Sequence, residues 1–230
     1  RNLGNVLRDL GKTDEAVDNY FQPGVFDVSN LEEAMNIILT SEAGFSPRER
    51  WEQETPLMGE MLAERLSPSS NQTVIDYGSG VGRLAKQLIE RTGCNVIGVD
   101  ISRSMRVLSH MYCESDCYFS CSKNSLRTLI KGGLRANAAF SVWVLQHAEN
   151  PERDIDLIYD ALADDANFLV VNLNSRCLPT EQGWQDDGIN VKQLIEHRFQ
   201  VIQYFAVPEG AVTARELSFF GLYRKSPTGN

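Results

Sequence analysis

Residues 72–84 read Gln-Thr-Val-Ile-Asp-Tyr-Gly-Ser-Gly-Val-Gly-Arg-Leu, and no other run constrains the fold as much. Val74 and Ile75 predict a short buried strand. Gly78, Ser79, Gly80 and Gly82 follow as a turn with little side-chain bulk, so a ligand can approach its backbone closely. Apolar residues then recur at helical spacing, at Leu84, Ala85, Leu88 and Ile89. A strand, a glycine turn and a helix N-terminus in that order present free N–H groups to electron-rich or anionic ligand atoms. In open α/β sheets, such a turn at the carboxyl end of the first strand is where nucleotides bind.

A Gly-x-Gly-x-Gly run alone is a weak signal, and its surroundings give it weight. Residues 95–100 (Asn-Val-Ile-Gly-Val-Asp) predict a second strand ending in a carboxylate. That position suits acceptance of hydrogen bonds from both hydroxyls of a ribose. The order Asp76, glycine turn, helix, strand, Asp100 resembles the S-adenosylmethionine (SAM) site of class I methyltransferases, over roughly residues 74–225. A nicotinamide oxidoreductase fits less well, because the third glycine stands at Gly82, where the dinucleotide fingerprint places it one residue later, at Arg83.

The resemblance implies a Rossmann-like α/β fold: a seven-stranded, mostly parallel sheet with a C-terminal antiparallel hairpin, helices on both faces and an N-terminal helical extension. It also implies SAM as cofactor and assigns roles by position. Asp100 would bind the ribose hydroxyls, and Gly78, Ser79, Gly80 and Gly82 would pack against the methionine part. Asp76 would orient that part through its amino group or else organise the turn. Ile101 and Met105 would cover one adenine face, although Met105 could equally be core. The family keeps an Asp after the third strand to receive the adenine amino group. Here Ser122, Lys123 and Asn124 follow, leaving Ser122, Asn124 or a backbone carbonyl for that contact. Gln146 would form a pocket wall. His147, at the rim where the methyl group points, has the residue type of a general base, or it shapes the pocket.

With 230 residues and 42% hydrophobic content, the chain can bury a full core. A net charge of −9 without any longer basic run disfavours a nucleic-acid partner. No stretch approaches a membrane span, and no signal-peptide pattern opens the chain. Cys113, Cys117 and Cys121 recur every fourth residue without a Cys-x-x-Cys pair, which favours reduced thiols in a cytoplasmic protein over a metal site.

The opening at Arg1 suggests a piece of a longer protein. Residues 1–22 resemble one tetratricopeptide repeat, the remnant of an array with a protein partner, or an ordinary helical hairpin. Residues 23–66 predict a helical cap, with Asn30 and Ser46-Pro47 as helix starts. Within it, the run around Trp51 either folds over the cofactor or docks Trp51 into the core. Residues 67–230 form the SAM-binding domain, with strands at 138–145, 167–173, 199–207 and 217–225, and a loop over the site at 177–190. His110 and His197 read as structural. The function implied is methyl transfer to a small-molecule or carrier-bound acceptor, and the alternative is an interaction module that binds the cofactor weakly or not at all.

Overall fold

The computed structural model describes residues 23–180, 183–206, 208, 210–211 and 217–227. The repeat-like segment read over residues 1–22 lies outside them. Three helices come first: α1 (Pro23–Phe26), α2 (Leu31–Ile38) and α3 (Pro47–Leu66). Then follow β1 (Thr73–Tyr77), α4 (Arg83–Thr92), β2 (Asn95–Val99), α5 (Arg103–Cys113), β3 (Tyr118–Cys121), α6 (Lys123–Lys131) and β4 (Ala136–Val142). A 3₁₀ turn (Leu145–His147) leads to α7 (Pro151–Ala161), β5 (Leu162–Leu173), β6 (Leu178–Thr180) and β7 (Gly183–Gln185). The described chain ends with α8 (Val191–Arg198), β8 (Gln200–Tyr204) and β9 (Ser218–Arg224).

Helix starts follow local chemistry. Asn30 accepts the Glu33 N–H at 2.9 Å. Ser46 and Glu49 form a reciprocal capping box ahead of Pro47, which suits the first helical position because its missing N–H would be unpaired there anyway.

The main sheet has the order β3-β2-β1-β4-β5-β9-β8. Neighbours among β1 to β5 pair in parallel, and β9 runs antiparallel to both β5 and β8. This is the expected seven-stranded sheet with its antiparallel close. Strand alternation divides the core. Ile75, Tyr77 and Ala139 face α6, α7 and α8, while Val74, Ala138 and Phe140 face α3, α4 and α5. A third cluster of Val28, Ala34, Met35, Leu39, Trp51, Val81 and Met105 seals the N-terminal helices onto the glycine turn. Fully burying one such side chain contributes about 1.5–3 kcal/mol, so several together hold this cap against the sheet.

Several boundaries differ from expectation, and the strand expected over residues 199–207 spans only Gln200–Tyr204. The fourth strand stops at Val142, because Trp143 adopts a left-handed φ of +61° and turns the chain out of the sheet. The fifth begins at Leu162 rather than at residue 167, paired with Ala136 before a register shift. The loop over residues 177–190 contains the β6–β7 pair, too short for a periodic signal. All five cysteines are free thiols, and burial raises Cys113 to about 12 and Cys121 to about 11. Among the described residues no group of three His, Cys, Asp or Glu side chains could hold a metal ion. No described helix is long and apolar enough to cross a membrane.

Candidate active site

From β1 the chain crosses to β2 on one side, while β4 lies on the other. Ligands of open α/β sheets bind in the crevice at the carboxyl ends of two such strands. A cavity of about 770 Å³ opens there, in the upper part of the range of about 300–1,000 Å³ found for small-molecule sites. It runs from Gly78, Gly80 and Asp100 to Gln146 and His147.

The glycine turn is clamped from below, because the N–H groups of Gly78 and Ser79 both donate to the Val99 carbonyl, at 2.7 and 3.1 Å. Gly78 has φ +82°, and a Cβ there would strike both Val144 methyls. Glycine is therefore required at this position for conformation and for space. Over the turn lies Ile38 of α2, whose Cδ1 would meet a Cβ on Gly80 at 2.9 Å.

Asp100 stands opposite. One carboxylate oxygen accepts the Gly80 N–H and the other the Ser102 N–H, both at 2.8 Å. Each oxygen keeps a lone pair for a further donor, so the group can still accept two ligand hydroxyls. Burial raises its pKa, and the two N–H bonds oppose the rise. Ser102 also accepts from Met105 N–H, and its hydroxyl reaches the carboxylate of Asp27 at 3.0 Å. The Val28 N–H donates to Ser104 Oγ at 3.0 Å, so the N-terminal cap is fastened beside Asp100.

Asp76 sits beneath the turn, buried and outside the cavity wall, opposite Gly98 in the strand register. Its pKa is raised well above the usual carboxylate range, first by burial and then by the charge of Asp100, with Arg83 and the Ala85 N–H opposing. Its Oδ2 has no hydrogen-bond partner among the described residues. Arg83, the first residue of α4, is itself buried and reaches Thr55 Oγ1 at 3.2 Å. Burial lowers its pKa to about 10 against the attraction of Glu54. Arg50 bonds Glu54 at 2.7 Å, Glu42 at 3.0 Å and the Thr40 carbonyl at 2.7 Å, which fixes the loop between α2 and α3. Arg50 and Arg83 both line the cavity, while Trp51 packs edge-on against Tyr112 at 5.8 Å.

At the other end, His147 Nδ1 lies 2.7 Å from the Cys177 carbonyl. A carbonyl only accepts, so Nδ1 carries the proton and Nε2 keeps its lone pair. The Gln146 amide faces that lone pair at 3.3 Å, and its Oε1 is turned toward the Leu173 N–H at 3.4 Å. Burial lowers the His147 pKa and Arg176 adds to this, while the Cys177 carbonyl opposes. The imidazole is therefore neutral near pH 7. Phe26 and Trp184 flank the ring at 6.1 and 5.1 Å between centroids.

Of the predicted site residues, Gly78, Gly80, Asp100, Ile101, Met105, Gln146 and His147 meet on one cavity wall. Asp76, Ser79, Gly82 and Ser122 do not line it. Ser79 is buried, Gly82 caps α4 at φ +77°, and Ser122 caps α6 by accepting the Ser125 N–H at 3.2 Å.

Residues 50–217 match the methyltransferase-domain family, which is most of the chain. The chain belongs to this family of SAM-dependent methyltransferases. No curated protein is similar to it in sequence. Among solved structures it is similar to the [4+2]-cyclase SpnF, at 12% identity and TM-score 0.65 over 92% of this chain and 96% of that one. A geranyl diphosphate methyltransferase in complex with SAM is 14% identical, with TM-score 0.59 over 88% of this chain and 93% of that one. A SAM-dependent methyltransferase from Aquifex aeolicus is 14% identical, with TM-score 0.54 over 79% and 99%. At these identities the likeness concerns the fold.

SAM is the methyl donor of this methyltransferase, and the cavity suits it. Asp100 keeps lone pairs for further donors, the glycine turn leaves room for close approach, and Arg50 and Arg83 line the cavity. The sequence reading gave no role to Arg83, although it directly follows the turn, nor to Phe26; it placed Arg50 only within the run around Trp51, and Trp184 only within the loop over the site. It also missed the pair of Lys123 with Asp154, 2.7 Å apart on the cavity wall.

Proposed function

We propose that this methyltransferase moves the methyl group of SAM to a small-molecule or carrier-bound acceptor within the single cavity between the glycine turn and His147. What carries the reading is that continuity, since the group suited to a ribose and the group suited to a proton share one cavity. Methyl transfer from a sulfonium is an in-line displacement, so the protein's task is to align nucleophile and carbon and keep water out.

In this reading Asp100 accepts from both ribose hydroxyls, and Gly78 and Gly80 form the floor beneath the methionine part, which Ile38 covers, while Ser79 and Gly82 shape the turn from outside the cavity. Arg50 and Arg83 supply positive charge for its carboxylate. Asp76 acts through the turn, as a buried acid that positions Arg83 and the first N–H groups of α4. Ile101 and Met105 cover the adenine, and a backbone carbonyl accepts its amino group, since Ser122 caps α6 outside the cavity. Gln146 holds the imidazole, and His147 takes a proton from the acceptor. The test is methyl transfer from labelled SAM into a small-molecule extract, with His147→Ala beside wild type. The reading expects label in an extractable product and a loss of about 10²–10⁴-fold in the variant, the usual weight of a general base. Equal labelling by both proteins would remove His147 from the mechanism.

A further inference from the structure

The acceptor end of the cavity has a chemistry of its own. Phe26, Gln146 and Trp184 lie against His147, and Leu173, Cys177 and Leu217 also line the cavity; none of these six carries a formal charge, and the nearest acid in sequence on the wall is Glu149. Arg176, whose charge acts on His147, is turned away, donating to the Leu145 carbonyl at 2.8 Å and pairing with Asp187 at 3.2 Å. Two of these apolar side chains face the opening: Trp184 is 59% exposed and Leu217 65% exposed. Large apolar groups left open at the mouth of a cavity mark a surface that a ligand covers. Trp184 also presents an aromatic ring beside the imidazole, and such rings prefer stacked or edge-on aromatic partners.

From this geometry we infer that the acceptor is an uncharged, flat molecule bearing a phenol- or enol-type hydroxyl, stacked near Trp184 with its O–H directed at His147 Nε2. The inference rests on the function proposed above and deepens it. The fixed tautomer decides the direction of proton flow: with Nδ1–H held by Cys177, only Nε2 can accept. The Gln146 amide hydrogen that faces Nε2 at 3.3 Å yields its place to the acceptor hydroxyl. That hydroxyl gives its proton to Nε2 while its oxygen forms the new O–C bond, and the electron pair of the breaking C–S bond returns to sulfur. The positive charge lost at the sulfonium reappears on the imidazolium, so charge balances within the cavity.

A base with a pKa below 6.5 limits what it can deprotonate. A phenol, near about 10 as in tyrosine, is within reach of a transfer concerted with methylation. An aliphatic hydroxyl, close to water at about 15.7, is much farther away. A protonated amine placed against His147 would meet Phe26, Gln146 and Trp184, none of which is a carboxylate, which is unfavourable for a desolvated charge, although Glu149 also lines the cavity.

The test uses phenol, 2-naphthol and a three-ring hydroxyphenanthrene, each beside its amine and its ring-saturated alcohol, with labelled SAM and the full chain. A titration of S-adenosylhomocysteine runs in parallel. The expected result is O-methylation of at least one phenol, with its saturated alcohol and amine at least 100-fold slower. His147→Ala should lose at least 100-fold in kcat while keeping S-adenosylhomocysteine affinity, with part of the rate restored by added imidazole. Trp184→Ala should raise KM for the phenol more than it lowers kcat. Intact S-adenosylhomocysteine binding without methylation of any phenol, or equal methylation of a saturated alcohol or amine, overturns the acceptor class alone. Failure of wild type to bind S-adenosylhomocysteine overturns the underlying functional reading as well.

Discussion

Residues at this site act through environment as much as through identity. Asp76 is an acid whose pKa is raised by burial and by Asp100. Below the unfolded value, near 3.9, it is protonated in both states and costs nothing. Between that value and the raised folded pKa the unfolded chain ionises while the buried carboxyl stays protonated, so stability falls across this window and the cost is complete above the folded value. Asp76→Asn should therefore be at least as stable as wild type at pH 7, with the difference vanishing toward pH 3. Urea denaturation at a series of pH values reads this, and a variant clearly less stable at pH 7 would contradict it. The sign is opposite for His147 as base. Its pKa is lowered, so kcat/KM should be level above about pH 6.5 and decline only as pH falls below that. A decline already beginning near pH 7.5 would contradict the neutral imidazole. At Gly78 two constraints coincide, positive φ and the Val144 methyls. Gly78→Ala should destabilise by about 1–3 kcal/mol, and pairing it with Val144→Ala should relieve only the steric share. Thermal denaturation of the single and double variants separates the two.

At the level of elements, the sequence revealed most where a local rule applied. The run from Thr73 to Asp100 was readable because strand alternation, a glycine turn and helical periodicity follow one another without a gap. The same holds for α3, whose start is written in Ser46, Pro47 and Glu49. Ser46→Ala breaks that capping box and should cost about 1 kcal/mol, a midpoint loss of roughly 2–4 °C at this chain length. Differential scanning calorimetry reads the shift, and an unchanged midpoint would mean that packing of Trp51 alone sets the helix. The end of the fourth strand was not readable, because nothing local announces that Trp143 takes a left-handed conformation. The β6–β7 pair was hidden for a different reason: three residues per strand, one of them Pro179, carry no periodic signal. Yet this pair brings Trp184 to His147.

For the molecule as a whole, the topology gathers residues far apart in the chain. Gly78, Asp100 and His147 were expected at one rim, because the carboxyl ends of parallel strands share an edge. Their partners were not, since Phe26, Arg50 and Lys123 with Asp154 come from four different helices and meet only after folding. The cap over the turn likewise depends on contacts across the chain, such as Asp27 with Ser102. The central claim is that this rim, anchored by Asp100, is where the methyltransferase holds its cofactor. Calorimetric titration of S-adenosylhomocysteine into wild type and Asp100→Ala tests it most directly. Hydrogen bonds to a charged group contribute about 1.5–3 kcal/mol each, so losing one or both should weaken binding by roughly 10- to 1000-fold or more, with the fold intact. Unchanged affinity in Asp100→Ala would place the cofactor elsewhere and contradict the account.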